Sequence, residues 1–180
     1  MRNRIKIVAA AMLAAGVACA VGAAYAPSVA DLDAAARAVG NRRDLALRIG
    51  ESVFSTQWSA EVTQISANEI EGHLIVGIRI LGVKFHKPMT RELFASEVVA
   101  LVERTFAAAP QTEEIDLWAS VPINVAKGEI VTGDLAKPTS STVFSLTARR
   151  GETAATLRAR LDGGDGVFWD QDWSRTAFSV

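Results

Sequence analysis

The chain has 180 residues, of which 49% are hydrophobic, and a formal net charge of −1. That length suits about one domain, and nearly half apolar content is enough for a real core. Setting aside the three cations at the extreme N-terminus brings the charge to −4. A mildly acidic domain offers no basic face for phosphates, which excludes a nucleic-acid partner.

Residues 1–26 read MRNRIKIVAAAMLAAGVACAVGAAYA. Arg2, Arg4 and Lys6 precede an uncharged, alanine-rich run over residues 7–30, closed by Asp31. This is the layout of a secretory signal. Ala24-Tyr25-Ala26 fits a small-x-small cleavage site, although Pro27 follows it; Ala18-Cys19-Ala20 is an alternative. The same segment is long enough to serve as a retained membrane anchor, for which about 20 apolar residues suffice. It could also carry a lipid on Cys19, with Gly16 standing where a branched aliphatic residue is expected. Each of the three places the globular part outside the cytoplasm. The alanine and arginine usage fits a GC-rich bacterium, so the expected location is periplasmic or secreted, or inner-membrane anchored and facing the periplasm. Cys19 is the sole cysteine. The exported domain is therefore expected to have no disulfide, thiol nucleophile or cysteine-bound zinc.

Residues 27–52 form an N-terminal helical segment. Ser28-Val29-Ala30-Asp31 has capping-box form. Leu32, Ala35, Ala36 and Val39 fall on one side, Gly40-Asn41 interrupts, and Leu45, Leu47 and Ile49 continue the pattern. This predicts one kinked helix or two short ones.

Residues 53–180 are expected to form a single α+β domain with an aromatic tail. Over residues 53–66, Phe54, Trp58, Ala60 and Val62 alternate with polar residues, predicting a half-buried strand. Residues 68–72 are a turn, and residues 73–85 form a second, more apolar and hence more central strand. Thr90 is the expected N-cap of a helix ended by Pro110, with Phe94, Val98, Leu101, Val102 and Thr105 on its inner face. In the strand over residues 113–123, Ile115, Leu117, Ala119 and Val121 face one way, and Asp116, Trp118 and Ser120 the other. A fourth strand over residues 142–150 points Phe144, Leu146 and Ala148 inward. The connection over residues 124–141 is long for a hairpin loop, with residues 128–133 a candidate extra strand. A helix over residues 152–161 stops at Gly163-Gly164. The predicted fold is a two-layer α+β sandwich: a mostly antiparallel four-stranded sheet in ββαββ order, with helices on one face.

The chemistry-bearing residues are few. His86 lies between Lys84 and Lys87, which allows a general base or an anion site near a helix start. A lone histidine with no adjacent acid lacks the group that would orient it, so a strand end with solvated charges is the simpler reading. His73 sits at the hairpin turn. It is 13 residues from His86 and so ~40 Å away along an extended strand, which rules out one site holding both. Asp162, Asp165, Asp170 and Asp172 lack EF-hand spacing, so no metal is expected. Asp116 beside Trp118 resembles half of a glycosidase pair without its second carboxylate. The chain has no G-x-S-x-G elbow, S-x-x-K, Walker A or G-x-G-x-x-G, and no cofactor is expected. An aromatic such as Trp118 on the outer face of a strand calls for a partner or a cover, which the tail aromatics Trp169 and Trp173 could supply.

These observations point to an exported, non-catalytic envelope module that binds another envelope protein or a small apolar ligand. Lys84, His86, Asp116, Trp118 and Ser120 are the candidate contacts, and membrane contact is expected only through the N-terminal segment. The alternative is a periplasmic hydrolase built on Asp116, His86 and a loop serine, which requires those two side chains within a hydrogen bond or one bridging water.

Overall fold

Ser28 begins the first helix by the reciprocal bonding its sequence implies. Its hydroxyl accepts from the Asp31 amide at 3.2 Å, and its own amide donates to the Asp31 carboxylate at 2.7 Å. The computed structural model describes residues 27–123 and 140–179. The leader, Cys19 and most of the 124–141 connection, including its candidate strand, lie outside the described residues. Among the described residues no helix is long and apolar enough to cross a membrane.

Helix α1 (Val29–Arg37) is followed by a two-residue strand β1 (Ala38–Val39) and helix α2 (Arg43–Phe54). The interruption is thus complete. Gly40 has φ +103°, and a Cβ there would stand 2.2 Å from the Ala67 carbonyl oxygen, so only glycine lets the chain turn against the neighbouring strand. The inward face of α1 is Ala34 rather than the expected Leu32 side; Leu32 and Val39 are exposed. Small residues win this contact because the two helices approach closely: a Cβ on Gly50 would meet that of Ala34 at 2.7 Å.

Strand β2 (Ala60–Ile70) starts later than expected. Leu45, Ile49 and Val53, at i, i+4 and i+8, are all fully buried, and this helical period carries α2 through Phe54. The Trp58 indole N–H then donates to the Val53 carbonyl at 2.9 Å and closes that helix end. Glu71 and Gly72 both have positive φ, 52° and 85°, as a two-residue type I′ hairpin requires. They lead into strand β3 (His73–Phe85).

Helix α3 (Arg91–Ala108) begins at Thr90, whose hydroxyl accepts from the Leu93 amide. Phe94, Val98, Leu101, Val102 and Thr105 are buried as their spacing predicts. Strand β4 (Glu114–Pro122) and strand β5 (Ser140–Arg149) form the second hairpin. Helix α4 (Ala154–Gly163) ends at Gly164, strand β6 (Val167–Trp169) lies beside β5, and Asp170 caps helix α5 (Gln171–Ala177).

The sheet has six strands in the order β1-β2-β3-β4-β5-β6 and is mixed. Both predicted hairpins are antiparallel, but β3 and β4 pair in parallel, as do β1 and β2. The expected four-stranded, mostly antiparallel sheet is corrected on two counts. First, 18 residues of α3 span about 27 Å, enough to return the chain to the start of β3, so β4 runs in the same direction as β3. Second, β1 and β6, of two and three residues, are too short to show an alternation. The helices pack on one face of the sheet, over Ile65, Ile78, Ile80, Ile115, Leu117, Phe144 and Leu146.

The tail aromatics close this core. Phe94 is ringed by Phe85, Phe144, Trp169, Trp173 and Phe178 at centroid distances of 5.1–6.1 Å. Trp169 pairs with Phe144, which pairs with Ala119. All three therefore point to the helix side, and the tail tryptophans do not cover Trp118.

Candidate functional site

Period-two alternation gives the sheet a second face, over which no helix lies among the described residues. Gln64, Arg79, Trp118, Ser145 and Phe168 form one cross-strand row there, from β2 to β6. Trp118 lies against Gly77, where a Cβ would stand 3.0 and 3.1 Å from its Cζ3 and Cη2 and 2.4 Å from the Ser66 hydroxyl. The absent side chain is what lets the indole settle over β3. Phe168, half exposed at 50%, ends the row.

Arg79 is the direct neighbour of Trp118 across the β3–β4 pair. Its Nε donates to the Ser120 hydroxyl and its Nη2 to the Ser140 hydroxyl, each at 2.9 Å. Two hydroxyls fix the guanidinium but do not neutralise it. No carboxylate pairs with Arg79 among the described residues. Asp116, one row away, instead accepts from the Thr147 hydroxyl at 2.7 Å.

The face continues past Gly77 into a cleft of about 580 Å³ bordered by Ile70, His73, Ile75, Glu113, Glu114 and Arg149. His73 Nδ1 and Glu113 Oε2 are 2.7 Å apart. That hydrogen bond, and next the carboxylate charge, raise the His73 pKa above its ordinary value. Arg149 and Glu114 approach to 3.7 Å. Sequence reasoning missed this grouping. His73 and Glu113 are 40 residues apart, and only the parallel pairing, with the Glu113 amide donating to the Leu74 carbonyl, brings them together.

Asp116, Trp118 and Ser120 share one face as their alternation predicts. Ser120, however, is 3% exposed. The β4–β5 pairing shifts register between Ala119 and Ser120, and the Ser120 hydroxyl is covered by the Arg79 guanidinium that donates to it. His86 lies elsewhere. It is exposed beyond the end of β3, with its amide bonded to the Ser59 carbonyl at 2.8 Å. Gly77, the partner of Asp116, is nine strand positions away, up to roughly 30 Å. The structure does not bring His86 and Asp116 together, so the dyad required by the hydrolase alternative is not formed. Lys84 belongs to the last stretch of β3, and its side chain lies outside the described residues.

No protein-family model, curated protein or solved structure matches this chain.

Proposed function

We propose that this chain is an exported, non-catalytic module of the bacterial envelope that binds another envelope protein across the open face of its sheet. The carrying observation is the pair Trp118 and Arg79: an indole and a carboxylate-free guanidinium side by side on a face that no described helix covers. Tryptophan and arginine are the residue types that most often dominate protein–protein affinity. The partner would present an apolar group to Trp118 and Phe168 and a carboxylate to Arg79. A protein fits better than a small apolar ligand, because this face is broad, open and interleaved with polar side chains. Export rests on the cationic, then apolar, residues 1–26.

The outer edge of the sheet is a poorer docking surface. The Asn41 side chain takes both the Glu69 amide, at 2.8 Å, and the Glu69 carbonyl, at 3.0 Å, and Arg37 donates to the Val62 carbonyl. These contacts blunt the β2 edge against strand addition.

Site-specific photocrosslinking in intact cells tests the reading. A photoreactive residue at Ser145, in the Trp118 row, is expected to yield a discrete adduct. The same residue at exposed Ala155 on α4 should not. Arg79→Met should abolish the Ser145 adduct while the protein remains folded. An adduct indifferent to Arg79, or equal from both positions, would remove this face as the binding surface.

A further inference from the structure

A second cleft, of about 480 Å³, lies where α1 and α2 meet the start of β2, with His86 on its rim. Its volume is within the range of small-ligand clefts, about 300–1,000 Å³. Some of its side chains are already engaged. Arg37 pairs with Asp33 at 3.5 Å and lies over the Phe54 ring at 5.0 Å. Trp58 is held by its indole bond to Val53. By contrast, the side chains of Thr56, Gln57, Glu61 and His86 all border the cleft and have no hydrogen-bond or ionic partner among the described residues.

The character of those four groups narrows the ligand. Thr56 and Gln57 can each donate and accept, a neutral imidazole does both through its two nitrogens, and an ionised Glu61 accepts. An apolar ligand would bury them unpaired, at a cost in affinity. An anion would face the carboxylates of Asp33 and Glu61. A cation would meet Glu61 but also the Arg37 guanidinium. Hydroxyl groups, which donate and accept at once, satisfy the whole set. An aromatic wall such as Trp58 suits the C–H face of a sugar ring. We propose that this cleft binds a neutral saccharide, with a pyranose ring against Trp58 and its hydroxyls bonded to Gln57, Glu61, Thr56 and His86. The site shares no residue with the Trp118 face and stands or falls independently of it.

The test is amide and indole NMR of the purified chain titrated with maltotriose and, separately, with the trimer of N-acetylglucosamine. The expected result is saturable shifts with at least one sugar, centred on the Trp58 indole N–H and the Gln57 side-chain amide. The double substitution Gln57→Ala, Glu61→Ala touches only partner-free side chains and so should fold; it should weaken binding at least tenfold. Arg149→Ala, in the other cleft, should leave binding unchanged. Absence of saturable shifts at Trp58 with both sugars, or binding that survives the double substitution, would overturn the proposal.

Discussion

The Trp173 indole nitrogen donates to the Gly82 carbonyl oxygen at 2.7 Å, joining α5 to the point where β3 leaves β2. The β2–β3 register breaks between the Ala60–Phe85 and Val62–Ile80 pairs, and Gly82 is buried within the interruption. A buried carbonyl without a donor costs about 1–3 kcal/mol. Trp173→Phe retains most of the ring but removes the donor. It is expected to lower stability by about that amount, or ~2–4 °C in Tm per kcal/mol for a domain of this size. Urea and thermal unfolding measure it; an unchanged midpoint would mean that Gly82 finds another donor.

Gly77 carries the seat of Trp118. Any Cβ there meets Ser66 and the indole at the distances given above, and overpacking of this kind costs about 1–3 kcal/mol. Gly77→Ala is expected to lift Trp118 off β3. The signs would be a red-shifted component in tryptophan emission and weaker crosslinking from Ser145. An emission spectrum and adduct yield equal to those of the unaltered chain would show that the indole does not depend on the missing side chain.

The parts of this arrangement differ in how far they can be read from residues alone. The α3 helix was fully legible, because Phe94 to Thr105 repeats at helical spacing and Thr90 caps it. So was the two-sided alternation of β4 that puts Asp116 and Trp118 on one face. The partner of Trp118 was not. Arg79 is one cation in an apolar strand, and it gains meaning only once β3 and β4 are known to run in parallel register. The same holds for His73 and Glu113. Phe54 misled because a residue at the end of a buried helix also satisfies the first position of an alternating strand. Trp169 and Trp173 were recognisable as covering aromatics, but nothing local states which face of the sheet they cover.

The His73–Glu113 pair predicts a pH effect with a definite sign. The interaction raises the folded-state pKa of His73 above the ordinary value of about 6.5. Its contribution to stability is therefore fully present below that ordinary value and is lost as pH rises through the folded value. Both side chains are largely exposed, so the titration itself is the measurement of choice. The His73 ring resonances should titrate above 6.5, and Glu113→Gln should bring the midpoint down. Identical midpoints in the two proteins would show that the pair does not persist in solution.

Glu97 ties the helical layer to the sheet through two backbone groups. From α3, its two carboxylate oxygens accept from the Ser59 amide at 2.9 Å and the Ala60 amide at 3.0 Å. These are the amide just before β2 and the first amide within it, in a segment where Ser59 and Ala60 are both buried. A carboxylate suits this role because it is acceptor-only and can serve two donors at once. Glu97→Ala leaves both amides without that partner and is expected to cost about 2–4 kcal/mol, from one to two unmade buried bonds. Glu97→Gln keeps one acceptor oxygen and should recover part of the loss. If the carboxylate merely adds charge to the surface, alanine and glutamine will be equally mild. If it holds the start of β2, the order of stability will be Glu, then Gln, then Ala. Hydrogen exchange at the Ser59 and Ala60 amides will accelerate in the same order, since those two protons lose their acceptor directly.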